Sequence, residues 1–92
     1  MIERTIEDGV RRWCKKKGLP FIKMDAMIYK GIPDRLVVLP GGRVLWLEFK
    51  TPEGRVTMHQ ANYINWLVGA DHECYVVTSK DQAIKLIEEQ LG

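Results

Sequence analysis

Two strand-like runs, residues 35–39 and 43–50, meet at Pro40-Gly41-Gly42, and this constrains the fold more than any other stretch. Aliphatic and aromatic residues on both sides of a Pro-Gly-Gly break are the signature of an antiparallel β-hairpin. The second strand contains Val44-Leu45-Trp46-Leu47, an unbroken apolar run that marks a central strand covered on both faces. Glu48 and Lys50 close that strand. Side chains alternate along a strand, so Glu48 and Lys50 share one face and Phe49 takes the other. An acid on a buried strand requires a partner or a cation.

A second acid, Asp34, enters the first strand directly after Gly31-Ile32-Pro33. Whether it can meet Glu48 depends on the turn. A two-residue Gly41-Gly42 turn pairs Pro40 with Arg43 and sets Asp34 opposite Phe49, away from Glu48. A shared site therefore requires an odd loop length, a bulge, or a bend near Pro33, and one of these is expected. With that condition met, Asp34 and Glu48 form a hard oxygen pair suited to Mg²⁺ or Mn²⁺, with the carbonyl of Phe49 as a third ligand. Lys50 would orient an attacking water or offset charge on a phosphate. Read alone, Glu48-x-Lys50 is more readily a surface charge pair; Asp34 one hairpin away and the buried strand favour the site.

The remaining elements follow from periodicity. Ile6, Val10, Trp13 and Cys14 recur on one face of a helix over residues 3–17, stopped by Gly18 and Pro20. On the helical wheel Glu3 falls inside the apolar arc and Glu7 at its edge, so either acid could lean toward the site, or simply favour the helix start. Residues 19–24 read as a short strand and 25–31 as a loop. Thr57-x-x-Gln60 is a capping box for a helix to about Val68, closed by Gly69. Gln60 also faces inward, where it could touch Lys50 or a phosphate. Residues 72–78 read as a strand, and Ser79-x-x-Gln82 opens a last helix with Ala83, Ile84, Ile87 and Leu91 inward. The order α-β-β-β-α-β-α predicts a single α/β domain over residues 1–92, with a mixed central sheet flanked by helices.

Composition narrows the function. With a net charge of +2, the chain lacks the bulk positive charge of many nucleic-acid binders, so any such contact must be local. The candidates are Arg11-Arg12 with Lys15-Lys16-Lys17, and Lys30, Arg35 and Arg55. No apolar run has the length of a membrane span. The amino terminus lacks a signal-peptide pattern, and Cys14 and Cys74 are too far apart for a redox motif, so a cytoplasmic protein with reduced thiols is expected. His59 and His72 lack zinc spacing. Trp66 and Tyr63 lie off the apolar stripe of their helix and suggest a partner surface.

The ordered set Glu3, Gly31-Ile32-Pro33-Asp34, Glu48-Phe49-Lys50 and Gln60, followed by Tyr75-Val76-Val77 leading into Ser79, resembles the VRR-NUC branch of the PD-(D/E)xK nuclease superfamily. The likeness runs from about Glu3 to Ala83. It implies a restriction-endonuclease-like αβββαβα core and a metal-dependent endonuclease hydrolysing DNA phosphodiesters. Asp34 and Glu48 would bind the metal, Lys50 would be the catalytic lysine, Glu3 would complete the acidic cluster and Gln60 would support it. Glu7 stands where the family often carries Gln. Small stand-alone members of the family, often viral or bacterial, resemble Holliday-junction resolvases, which implies a homodimer acting on branched DNA. A competing reading is a DNA-binding module that works only within a larger assembly.

Overall fold

The computed structural model describes residues 2–92. Helix α1 spans Glu3–Lys17, followed by strands β1 (Phe21–Lys23) and β2 (Arg35–Leu39), a 3₁₀ turn (Pro40–Gly42) and strand β3 (Arg43–Phe49). Helix α2 (Met58–Gly69), strand β4 (Glu73–Val77) and helix α3 (Lys80–Leu91) complete the chain. The sheet order is β1-β2-β3-β4; the first two pairings are antiparallel and β3 pairs with β4 in parallel. The α/β class, the mixed sheet and the central place of β3 are as the sequence predicts.

The core lies on one face of the sheet. Ile6, Val10 and Cys14 of α1 and Ala83 and Ile87 of α3 pack on Val37, Leu39, Leu45, Leu47, Phe49 and Val77. These sheet positions alternate with those on the other face, where α2 makes the crossover from β3 to β4. Both boundaries of α1 match the periodic reading, and Gly18 takes the left-handed conformation (φ 72°) that ends it. The capping box of α2 is complete: Thr57 Oγ1 accepts from the Gln60 N–H, and Gln60 Oε1 accepts from the Thr57 N–H. Gly69 does not close α2 but belongs to it; the reversal into β4 falls on Asp71, a residue tolerant of its positive φ of 66°. Leu91, expected inward, is exposed at the end of α3.

The hairpin turn has three residues. Leu39 pairs with Arg43 and Arg35 with Leu47. Gly41 (φ 78°) and Gly42 (φ 73°) both adopt the left-handed conformation, which explains two consecutive glycines. This is the odd loop length that the shared site requires. Continued one position past Arg35 and Leu47, the register sets Asp34 opposite Glu48, so the two carboxylates lie on one face.

Candidate active site

Glu48 is 1% exposed at the carboxyl end of β3, the one buried charged residue among those described. Its Oε2 accepts from Gln60 Nε2 at 2.9 Å and lies 3.5 Å from Lys50 Nζ. Its Oε1 is buried with no hydrogen-bond partner. Gln60 thus caps α2 through its oxygen and holds the strand acid through its nitrogen; its contact is Glu48, not Lys50. The Lys50 side chain is 12% exposed, lodged between this acid and solvent.

Asp34 stands across the hairpin. Its Oδ2 accepts from the Phe49 N–H at 2.8 Å, where the β2–β3 ladder has run out. Two positions past Arg35 and Leu47 the register brings Pro33 opposite Phe49. Proline has no N–H, so the position facing the Phe49 carbonyl supplies no donor. A strand residue carries its N–H and C=O to the same side, so that carbonyl lies on the Asp34 side. A recess of about 550 Å³, lined by Lys23, Met24, Asp25, Ala26 and Met27, opens onto Asp34.

The electrostatics show two acids held against their preference. Burial, then the Asp34 charge, pushes the Glu48 carboxyl up to about 7, against the pull of Lys50. Asp34 is raised by burial, lowered by the Phe49 N–H, and raised by Glu7 and, last, by Glu3. A divalent cation between the two would offset both shifts by favouring the ionised carboxylates. Among the described residues no three His, Cys, Asp or Glu side chains converge as a metal cluster. Two carboxylates and a carbonyl suit a cation such as Mg²⁺, which retains several waters, rather than zinc. The unpartnered Glu48 oxygen is the observation that fits the group.

Other expected site residues are placed differently. Glu3 is exposed rather than buried in the core. It makes no hydrogen bond to the site, though its charge is near enough to raise Asp34. Glu7, one turn on, is half-buried and forms a 2.5 Å ion pair with Arg35 Nε. Arg35 also lies over the Phe21 ring, 4.7 Å from its centroid, and its side chain is 11% exposed. It is a structural cation rather than a free one for phosphate. The Glu7–Arg35 pair escaped the sequence reading, since nothing local links positions 28 apart. Lys30 and Arg55 are exposed in loops on either side of the site residues in sequence. Both thiols are buried, with values pushed up to about 11 by burial, so neither Cys14 nor Cys74 is a nucleophile. No helix among the described residues is long and apolar enough to cross a membrane.

A four-stranded mixed sheet with Asp34 and Glu48-x-Lys50 on adjoining strands, and a helix on the site face, defines the restriction-endonuclease-like architecture of the PD-(D/E)xK superfamily. The chain is 36% identical over 79 residues to "Putative nuclease p44" of Acyrthosiphon pisum secondary endosymbiont phage 1, covering 86% of this chain and 85% of that protein. It superposes on a solved structure described as a VRR_NUC domain with a TM-score of 0.81, at 26% identity and 94% coverage of both chains. No protein-family model matches it. The chain belongs to the VRR_NUC family of nucleases.

Proposed function

We propose that this chain is a Mg²⁺- or Mn²⁺-dependent endonuclease that hydrolyses DNA phosphodiester bonds, as a homodimer acting on branched DNA such as a Holliday junction. The observation that carries the reading is Glu48: a buried carboxylate whose Oε2 is held by Gln60 and Lys50 while its Oε1 has no partner. Asp34, Glu48 and the Phe49 carbonyl would hold the cation, which when bound supplies Lewis-acid activation of the phosphate and of water. Lys50 reaches toward the same space, where its ammonium orients the water and offsets charge growing on the phosphate oxygens. The water oxygen would give up a proton and bond to phosphorus as one P–O ester bond breaks, and the departing oxygen would take up a proton. Gln60 holds Glu48 through Oε2, which would leave Oε1 free to take a cation. Lys30 and Arg55, both exposed, would contact the DNA backbone.

The homodimer is supported by the half-open sheet face. Ile22 neighbours Leu36, which neighbours Trp46, and Val38 neighbours Val44. Ile22 and Val38 are exposed there. A two-fold partner on this face would present two sites to two strands of a junction. Two free thiols accord with a reducing compartment, the cytoplasm of a bacterial cell or phage-infected host.

The test is cleavage of a four-way junction beside matched duplex and flap DNA, with Mg²⁺, with Mn²⁺ and with chelator. Paired cuts in the junction, lost with chelator, are expected. Intact DNA under every metal condition would sink the nuclease reading and favour a binding module within a larger assembly.

A further inference from the structure

A cavity of about 420 Å³ lies between the loop ahead of Asp34 and the outer side of α2, lined by Lys30, His59, Asn62, Tyr63 and Trp66. The four α2 residues stand at i, i+3, i+4 and i+7, a single stripe of the helix surface. Gln60, which holds Glu48, lies on a different side of the same helix, so the stripe is not part of the carboxylate site. Trp66 is 67% exposed, an unusual position for the largest side chain.

Gly31 brings the two walls together. Its φ is 87°, and a Cβ there would lie 2.3 Å from the His59 carbonyl oxygen. The loop backbone therefore rests on the first turn of α2, with Lys30 at the rim. Gly31, Ile32 and Pro33 are buried and lead straight to Asp34. On the other wall His59 directly precedes Gln60. The cavity and the carboxylates are thus built from the same two segments.

We infer that this cavity binds one unpaired nucleotide of the DNA substrate, its base stacked on Trp66, its edge met by Asn62 and its phosphate by Lys30. The inference rests on the nuclease reading and deepens it. Base stacking on an exposed aromatic is tolerant of sequence, because every base has a π-face. Lys30 complements the phosphate, and the Asn62 amide both donates and accepts. A second copy of the chain suits this surface less well. Three of its five lining side chains, Lys30, His59 and Asn62, are polar, whereas the centre of a homodimer interface is more apolar. The pocket gives a basis for preferring DNA that offers an unpaired nucleotide, such as a flap or a junction opened at its branch point, over continuous duplex.

The experiment measures binding of the full chain to a labelled duplex with a short single-stranded thymidine tail and to the same duplex blunt-ended. Chelator is present throughout, so that nothing is cut. Wild type should bind the tailed duplex at least tenfold more tightly. Trp66→Ala should weaken tailed binding roughly ten- to a hundredfold with blunt binding unchanged, and Trp66→Phe should restore most of it. Lys30→Ala should weaken tailed binding and lower its salt slope by about one. Equal wild-type affinity for the two DNAs, or wild-type tail binding by Trp66→Ala, overturns the inference. So does a Trp66→Ala protein that sediments as a smaller species than wild type, which would assign this face to a second copy. Because no cleavage is read, failure of the nuclease reading looks different: Trp66-dependent tail binding persists while no metal supports cutting.

Discussion

Replacing Glu48 with Gln should stabilise the metal-free protein at neutral and alkaline pH while abolishing its chemistry. The Glu48 carboxyl is raised from its ordinary 4.5 to about 7, first by burial and then by the Asp34 charge. The folded protein therefore binds this proton more tightly than the unfolded chain does. Stability from this group is fully present below about pH 4.5 and is lost as pH rises through 7. The interval from 4.5 to about 7 corresponds to about 3 kcal/mol, at 1.36 kcal/mol per pH unit. Gln keeps the shape of the side chain, can still pair with Gln60, and cannot ionise. Urea unfolding of both proteins in chelator, at pH 4.5, 6, 7 and 8, gives a difference curve that cancels the titrations they share. It should be near zero at pH 4.5 and favour Glu48→Gln by about 3 kcal/mol at pH 8. Added Mg²⁺ should stabilise only the wild type, by about 2.7 kcal/mol at a hundred times its Kd. A flat difference curve, or a wild type more stable than the variant at pH 8 without metal, would refute the reasoning that ionised Glu48 is strained in the apo protein.

Four further outcomes are expected. Lys50→Ala should lower single-turnover cleavage by about 10²- to 10³-fold, with junction affinity in chelator nearly unchanged, as gel shift would show. Gly31→Ala should cost about 1–3 kcal/mol in urea unfolding, since its positive φ is joined by the clash with the His59 carbonyl. Arg35→Ala should destabilise the fold, leaving Glu7 half-buried and unpaired, without changing the salt dependence of DNA binding. Arg55→Ala should do the reverse, lowering that salt slope by about one with the unfolding midpoint unmoved.

The parts of the fold legible in the sequence are those set by local rules. Periodicity marks α1 to the residue, Thr57 and Gln60 announce the start of α2, and the apolar run at residues 44–47 identifies the central strand. The readings that failed depend on distance. Glu3 has an inward wheel angle, but whether the end of a helix is covered depends on residues distant in sequence. Arg35 has the character of a surface cation until α1 folds back and brings Glu7 to it. At Asp71 an acidic residue takes the left-handed turn that Gly69 advertised, because α2 runs on past the glycine. The site was half legible: its acids and lysine are evident from type and spacing, and their meeting was conditional on the turn. Pro33 could have disclosed the open Phe49 carbonyl, had the register been known.

The hairpin turn has a consequence for the carboxylate pair. Pro40–Gly42 lies five residues along the strands from Asp34 and Glu48, about 17 Å from the chemistry at ordinary strand rise. Nothing in the turn touches the site, and a Cβ added at either of its glycines would meet no atom within 4 Å. Yet the turn decides the pairing: were Gly41-Gly42 alone to close the hairpin, Pro40 would pair with Arg43 and Asp34 would turn to the opposite side from Glu48. The turn acts as a phase setting: it contacts neither carboxylate, and by taking Pro40 out of the ladder it brings the two acids onto one face.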